Sequence, residues 1–206
     1  MDPVAFVVAG SAVTWTELVG DATGLACVYL VARANIWNWP LGIANTLLFF
    51  AVFARARLYG DALLQVVFAA LNGYGWWLWT RPGERGGGLP VRRAAPVELA
   101  GYAAVSLAGT ALAALILARK TDSPVPLWDA SVLVLSLVAT YAQAEKVVES
   151  WGLWIAVDVI SVPLYVARAL YPTALLYALF LLLCVLGLRE WMRLLREQRA
   201  LAGPAP

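Results

Sequence analysis

Long apolar stretches separated by short polar turns run along almost the whole chain. Seven of them come close to the roughly 20 mostly apolar residues that a transmembrane helix needs. They cover residues 16–32, 37–54, 60–80, 98–118, 127–144, 150–168 and 171–191. Because lipid offers the backbone no hydrogen-bond partners, stretches of this length are predicted to be helices. The pattern therefore predicts an all-α integral membrane protein with seven transmembrane helices.

The polar segments around these helices set the expected boundaries. Residues 1–15 are too short to span a bilayer, and we expect this N-terminal segment to lie at the membrane interface. Residues 81–97 include RPGERGGGLPVRRAAP, whose glycines, prolines and arginines predict a flexible loop. After residue 191, Arg and Glu residues alternate. This alternation predicts a helical, water-facing tail over residues 192–206.

The two ends of the apolar helices differ in basic charge. Lys and Arg are concentrated in the loop 81–97 and in the tail 192–206, and they are fewer in the loops on the side of the N-terminus. Cytoplasmic loops of membrane proteins carry the excess of Lys and Arg. The N-terminus is therefore predicted to lie outside, and the loop and the C-terminal tail in the cytoplasm.

The second part of the sequence repeats the first at a constant shift, which takes residues 58–65 onto residues 170–177. We call this offset the repeat shift. It also aligns Trp39 with Trp151, Gly75 with Gly187 and Trp79 with Trp191. Two three-helix repeats, 16–80 and 127–191, would then flank a linker helix, 98–118, in a 3+1+3 arrangement of parallel repeats. Chance agreement between Leu- and Ala-rich segments is the alternative.

Composition and charge narrow the classes of function. Hydrophobic residues make up 62% of the chain and charged residues only 14%, far from the usage of soluble domains. The net charge of +2 is too small to indicate nucleic-acid binding. The absence of histidine excludes a histidine-based proton relay, metal site or Ser-His hydrolase. Cys27 and Cys184 lie in apolar runs without metal or redox spacing, and are predicted to be packing residues.

Polar side chains inside the apolar helices share single helical faces. Asp61, Gln65 and Asn72 of the third predicted helix lie within about 60° of one another at about 100° per residue. The second, fifth and sixth helices align Asn38 with Asn45, then Ser136, Thr140 and Gln143, then Trp154, Asp158 and Tyr165. Such groups either hydrogen-bond neighbouring helices, the interpretation we favour for Ser136, Thr140 and Ser161 singly, or bind a solute. Together with nearby rings they suit a planar heteroaromatic, sugar-bearing solute.

Tryptophans and acids have further interpretations of their own. Trp15, Trp77 and Trp191 are predicted to be interfacial anchors. A carboxylate near mid-membrane, such as Asp158, must be paired, neutralised or facing a watery cavity. Pairing with Lys146, Arg168 or a Tyr hydroxyl is one interpretation, and contact with a cationic or hydroxyl-rich ligand is the other. Asp61 and Asp129 begin helices, where they are predicted to satisfy free backbone amides.

The segments NIWNWPLGI, LYGDALLQ with LNGYGWWLW, LWDASVLVLSLVA and ESWGLWIAVDVIS together resemble the PnuC-type nicotinamide riboside transporters. The resemblance covers residues 17–191. It implies a seven-helix, 3+1+3 vitamin transporter of the bacterial inner membrane, similar to SWEET-type carriers and often trimeric. Such a carrier needs no cofactor and works by facilitated diffusion, with the vitamin trapped inside the cell by phosphorylation.

The resemblance also implies a set of substrate-facing residues. These are Trp37, Asn38, Trp39, Asn45, Gln65, Asn72, Trp76, Trp151, Trp154, Asp158 and Tyr165. Some family members resemble this chain but have Asn where it has Asp158, which leaves the vitamin open. An anionic Asp158 favours a cation, so we rank nicotinamide riboside first, thiamine second and neutral riboflavin third. The alternative of a different class is a membrane-embedded enzyme or ligand sensor, although no nucleophile–base pair is visible.

Overall fold

The computed structural model describes residues 3–8, 11–81 and 88–202. A β-hairpin, β1 (Val4–Val8) and β2 (Ser11–Thr14), precedes seven α-helices in this part of the chain. The helices are α1 (Trp15–Ala32), α2 (Asn38–Arg55), α3 (Tyr59–Thr80), α4 (Pro96–Lys120), α5 (Pro126–Ala144), α6 (Ser150–Ala167) and α7 (Tyr171–Ala202). The predicted helical architecture is confirmed, and the hairpin is an addition to it.

The hairpin corrects the expectation of a chain made only of helices. Its strands pair antiparallel, with Val4 opposite Thr14 and Val7 opposite Ala12. Valine-rich sequence favours strands because β-branched side chains pack well on a pleated surface. Thr14 then caps α1, since its hydroxyl accepts from the Glu17 amide at 3.3 Å while the Glu17 carboxylate accepts from the Thr14 amide at 2.8 Å. This reciprocal capping box fixes where the strand ends and the helix begins.

The helix boundaries differ most from the prediction at α4 and α7. The linker helix begins earlier than predicted, at Pro96, because proline is well suited to the first helical position, and it ends at Lys120. The predicted tail is helical as far as Ala202, continuous with α7. The Gly-rich part of the loop, residues 82–87, and the chain end, 203–206, lie outside the described residues.

Four helices of the described part are by themselves long and apolar enough to cross a membrane. They are α4, α5, α6 and α7 from Tyr171 to Leu201. The first three helices carry more polar side chains, among them Asp21, Asn45 and Asn72. Those polar groups need burial inside the bundle, so the first three helices differ in apolarity from the last four.

The repeat shift recurs in the backbone geometry. Ala34 and Lys146, which follow α1 and α5, both have a positive φ of 51°. Arg57 and Ala169, which follow α2 and α6, have φ values of 62° and 57°. The left-handed region is uncommon for residues other than glycine, so its occurrence at both pairs of turns supports a genuine internal repeat.

The two sets of three helices pack crosswise. α1 packs on α7 and α3 packs on α5, while within each set the second helix contacts the first and the third. α4 packs chiefly on α5. The six helices of the two sets therefore surround a common centre, and α4 lies to one side of it.

Four tryptophans form the best-buried cluster of the bundle, at the end where α1, α3 and α5 terminate. We call Trp39, Trp79, Trp151 and Trp191 the four-tryptophan core. The Trp39 ring lies so close to Gly75 that a Cβ there would overlap it, and Trp151 lies in the same way against Gly187. The rings of Trp39 and Trp79 meet edge to face at 5.2 Å and 87°. Those of Trp151 and Trp191 meet at 5.5 Å and 87°.

The four-tryptophan core also joins the two sets of helices. Trp79 Nε1 donates to the Ala144 carbonyl of α5 at 2.9 Å, and Trp191 Nε1 donates to the Val31 carbonyl of α1 at 3.0 Å. Trp191 is fully buried. Its prediction as an interfacial anchor is therefore wrong, because the crosswise packing places it inside the bundle, whereas Trp15 and Trp77 are half exposed.

Candidate functional site

A cavity of about 350 Å³ lies at the common centre of the six crosswise helices. We call it the central cavity. Its size suits a small organic ligand, since pockets for such ligands begin at about 300 Å³. Most of the residues predicted to face a substrate line it: Asn38, Trp39, Asn45, Gln65, Asn72, Trp151, Trp154 and Asp158. The structure therefore brings together predicted site residues from both halves of the sequence.

Three residues of the predicted set do not line the central cavity. Trp37 precedes the first turn of α2 and is 65% exposed, and Trp76 on α3 is 43% exposed. Both are helical neighbours of inward-facing residues, and a step of about 100° per residue turns them outward. Tyr165 lies behind Tyr177, with ring centroids 5.1 Å apart, and only Tyr177 lines the cavity.

The asparagines of the first half are partly engaged in holding the helices. Asn45 Nδ2 donates to the Gly20 carbonyl at 2.9 Å and to the Thr23 hydroxyl at 2.6 Å, which ties α2 to α1. Asn72 Nδ2 donates to the Phe68 carbonyl at 2.9 Å within α3. Hydrogen bonds between α1 and α2 thus use the donors of the Asn45 amide nitrogen, as commonly happens between membrane helices. Gln65, in contrast, has no hydrogen-bond partner within residues 3–8, 11–81 and 88–202, and its side chain lines the cavity.

Asp158 on α6 is the acid of the central cavity. It is 2% exposed, and its Oδ2 atom lacks a hydrogen-bond partner among the described residues. The Cys184 thiol of α7 lies beside it. A buried carboxylate oxygen without a partner is costly. The carboxylate lines the central cavity, where a polar group of a ligand could reach it.

The basic residues predicted as partners of Asp158 bind elsewhere. Lys146 Nζ donates to the Leu89 carbonyl at 2.7 Å, and Arg168 lies 3.4 Å from Asp129. The prediction that either residue pairs with Asp158 is therefore wrong. Both lie in or next to the turns that bound α6, where they are held by neighbouring loops and helix starts. Asp129 lies in the first turn of α5, but its carboxylate accepts from the Ser123 hydroxyl and pairs with Arg168, so its predicted role of satisfying backbone amides is wrong.

The turn between α5 and α6 is fastened at the end of the cavity. The Arg92 amide donates to the Lys146 carbonyl at 3.0 Å, and the Val148 amide donates to the Arg92 carbonyl at 2.9 Å. The Lys146 ammonium lies 4.1 Å from the centre of the Trp79 ring, and burial lowers its pKa to about 8. The Arg92 guanidinium binds Glu98 at 2.7 Å, and this hydrogen bond raises the pKa of Arg92. Segment 88–95 thereby holds the turn against the four-tryptophan core.

Sequence reasoning misses several residues of the lining. They are Thr46, Phe49, Tyr177, Phe180 and the two cysteines, together with Ser136, Thr140 and Gln143, which the pattern groups correctly but assigns mainly to contacts between helices. The repeat offers the missing signal. The repeat shift takes Gln65 onto Tyr177 and Asn72 onto Cys184. Applied to the first half of the predicted set, it finds both residues; Cys184, predicted to be a packing residue, is buried in the hydrophobic cluster and also lines the cavity.

The chemistry of the central cavity is that of binding. Indole, phenyl and phenol rings provide faces for a planar ring, while amides, hydroxyls and one carboxylate provide directed hydrogen bonds. Among the described residues, no three His, Cys, Asp or Glu side chains come together to hold a metal ion. A bundle of apolar helices around a buried polar cavity, built from two repeats, defines a membrane transporter of a small solute.

The chain belongs to the nicotinamide mononucleotide transporter family, whose sequence pattern matches residues 14–193. It is 34% identical over 206 residues to the riboflavin/roseoflavin transporter RibM of Streptomyces davaonensis, covering 98% of this chain and 96% of the relative. It is 28% identical over 214 residues to the nicotinamide riboside transporter PnuC of Escherichia coli, covering 92% of this chain and 90% of the relative. The resemblance to PnuC-type transporters is confirmed.

A solved structure shares the fold. The crystal structure of the vitamin B3 transporter PnuC matches with a TM-score of 0.71 and 24% identity, over 90% of this chain and 83% of that one. The chain is thus a membrane transporter of the vitamin-carrying type and not an enzyme, because the family and the structural neighbour are transporters. The two named relatives carry different vitamins, so the solute of this chain is a separate question.

Proposed function

We propose that this chain carries nicotinamide riboside into the cell by facilitated diffusion through the central cavity. The observation that carries this proposal is the buried Asp158 carboxylate, whose Oδ2 atom lacks a partner among the described residues. Nicotinamide riboside bears a pyridinium ring, and a cationic ring offsets a desolvated negative charge while stacking on aromatic faces. The PnuC relatives of this chain support the same choice.

The proposed site divides the ligand between the two halves of the protein. Trp154 stacks on the base, because Trp39 and Trp151 are held against glycines and other tryptophans and have little freedom to do so. Gln65, Asn72 and Asn45 hold the amide and the ribose hydroxyls through their unengaged amide groups. Trp37 and Trp76 act as interfacial anchors, consistent with their outward positions. Tyr165 supports Tyr177 from behind.

The proposed transport cycle is alternating access in a seven-span, SWEET-like 3+1+3 arrangement. The sets α1–α3 and α5–α7 rock about the central cavity, with α4 as the linker. The repeated turns and the crosswise packing support this arrangement. The carrier works without a cofactor as a homotrimer in the bacterial inner membrane, with its N-terminus outside and its C-terminus in the cytoplasm. Phosphorylation inside the cell traps the vitamin.

Riboflavin is the second candidate, favoured by the match to RibM over nearly the whole chain. A flavin also offers a planar ring for Trp154 and hydroxyls for the amides. Asp158 would then accept hydrogen bonds from an imide or a hydroxyl group in place of contacting a cation. Thiamine, which is cationic but has no ribose, is the third candidate.

The test is a binding and flux measurement with the three vitamins. Detergent-purified protein is heated with nicotinamide riboside, riboflavin or thiamine, since a ligand that binds only the folded state raises the unfolding temperature. Protein in vesicles is then supplied with the labelled vitamin without any ion gradient. We expect stabilisation and equilibrating flux with nicotinamide riboside. Stabilisation by riboflavin alone would replace it as the substrate, and flux only under an ion gradient would overturn facilitated diffusion.

A further inference from the structure

The second half of the central cavity contains a hydrogen bond between two lining side chains. Trp154 Nε1 on α6 donates to Gln143 Oε1 on α5 at 2.8 Å. The repeat shift relates these residues to Gly42 and Val31 in the first half, which can form no such bond. The pair is therefore an asymmetric feature of an otherwise repeated bundle.

Gln143 is a well-fixed anchor for this bond. Its side chain is 7% exposed, and it lies in the last turn of α5. The backbone carbonyl of Gln143 accepts from the backbone amide of Lys146 at 3.0 Å. Lys146 lies in the turn that segment 88–95 holds in place through Arg92. The Gln143 side chain thus extends from backbone that is held both by α5 and by the turn that follows it.

The bond determines how the Gln143 amide is oriented. An indole nitrogen can only donate, so the amide oxygen must face Trp154 and the two N–H donors must point away from it. Trp154 is half-buried and packs against the buried hydrophobic cluster that contains the four-tryptophan core. Its bond to Gln143 adds a directional contact to this apolar packing.

We propose that Gln143 is a positioning residue that holds the Trp154 ring in the plane needed to stack on the base of the vitamin. This rests on the proposed function, because it requires a ligand with a planar ring in the central cavity. The base then lies on the α5–α6 side, and the sugar lies toward Gln65 and Asn72 of α3. The selectivity for ring shape is set in the second half of the protein.

The test is a double-mutant cycle on binding and transport. Gln143→Leu, Trp154→Phe and the double variant are compared with the wild type, using whichever of nicotinamide riboside and riboflavin binds the wild type. Either single change removes the bond, and we expect each to raise Kd and KM roughly threefold to tenfold, the worth of one hydrogen bond, with little change in maximal rate. In the double variant the second change adds little, because Gln143 acts through the indole.

The control is Gln198→Leu, the same change on the tail of α7 and outside the cavity lining, which leaves Kd and KM at wild-type values. Additive effects, or an unchanged Kd for Gln143→Leu, would overturn the positioning role while leaving the transporter proposal intact. If Gln143→Leu does not fold, Gln143→Met takes its place in the cycle, since it also lacks the amide acceptor, and an unchanged Kd for that variant overturns the role. A wild type that binds none of the vitamins would remove the proposed function and this role together.

Discussion

The two halves of the bundle have the same residues and geometry where their helices pack within each half. They have different residues at several positions that face the cavity. The Trp39–Gly75–Trp79 contact of the first half has the same geometry as Trp151–Gly187–Trp191 in the second. Apart from Trp39 with Trp151 and Phe68 with Phe180, the cavity positions related by the repeat shift carry different residues. They pair Gly42 with Trp154, Thr46 with Asp158, Gln65 with Tyr177 and Asn72 with Cys184.

This difference separates the packing core of the bundle from the lining of the central cavity. Glycine is required at Gly75 and Gly187 because each lies under an indole ring, so neither half can change there without losing its shape. Most lining positions do not lie under an indole ring, although Gly42 lies against the Asn72 amide and Asn45 ties α2 to α1. Equivalent positions such as Thr46 and Asp158 therefore differ in chemistry on similar frames. The first half supplies neutral amides, and the second supplies the carboxylate and the hydrogen-bonded indole. Two sets of three helices with equivalent packing thus surround one asymmetric cavity.

The largest expected effect comes from breaking the shared scaffold. Gly75→Ala and Gly187→Ala each place a Cβ inside the neighbouring tryptophan ring, and each should destabilise the protein by about 3 kcal/mol, the upper end of overpacking costs. The measurement is the thermal unfolding midpoint in detergent. Gly73→Ala and Gly152→Ala, whose surroundings are open, serve as controls and should unfold near the wild-type temperature. A large loss at one glycine only would show that the two frames are not equivalent.

The next effect concerns the cavity lining of the second half, where Asp158 supplies the carboxylate. Asp158→Asn should weaken binding of a cationic vitamin about tenfold to a hundredfold, since hydrogen bonds to charged groups contribute about 1.5–3 kcal/mol. Binding of a neutral flavin should change less. The unliganded protein should become more stable, because an unpaired buried charge is removed. Isothermal titration and thermal unfolding measure the two effects.

The matched control for Asp158→Asn is Thr46→Val at the equivalent position of the first half. The Thr46 hydroxyl donates to the Ile43 carbonyl at 2.9 Å, so it is already satisfied within its own helix. Its loss should change the affinity by about threefold at most. If Thr46→Val and Asp158→Asn weakened binding equally, the charge of Asp158 would have no special part in it.

Much of the fold follows from the sequence, but the site follows only in part. Helix positions depend on local apolarity, which is visible in a single chain, and the repeat can be found from Trp and Gly spacing alone. The cavity lining depends on which face of each helix meets the crosswise neighbour. For that reason Trp37 and Trp76 are predicted in the site although they face outward. They are of the same residue type as tryptophans that do line the cavity. The partners of Lys146 and Arg168 depend on loop paths, which apolar patterns do not encode.

A smaller effect tests whether the two halves of the four-tryptophan core contribute equally to stability. Trp79→Phe and Trp191→Phe keep a ring but remove the indole N–H, leaving the Ala144 or the Val31 carbonyl without its partner. Each should cost about 1–2 kcal/mol, in proportion to one buried hydrogen bond left unmade. Thermal unfolding measures this, with Trp77→Phe, an exposed position on the same helix as Trp79, as the control. Equal losses at residues 79 and 191 are expected from equal geometry, and a loss confined to one of them would contradict it.

The smallest effect is a pH dependence that belongs to one half only. Lys146 occupies the position of Ala34 in the other half, and burial lowers the pKa of its ammonium from 10.5 to about 8. Between these two values the unfolded chain binds more protons than the folded one at this residue, so its contribution to stability rises with pH. Below pH 8 the full cost of the buried charge is present, and above about pH 10.5 it is gone. The effect is small because Lys146 is only partly buried.

Comparison of the wild type with Lys146→Met isolates this contribution from every other group that titrates in the same range. The difference in unfolding midpoint between the two proteins, measured from pH 7 to pH 10, should shift in favour of the wild type as the pH rises. Lys120→Met, at the exposed end of α4, provides the control and should give a difference that does not vary with pH. A constant difference for Lys146→Met as well would mean that the Lys146 ammonium is solvated at the turn. The cation over the Trp79 ring would then no longer distinguish the second half from the first.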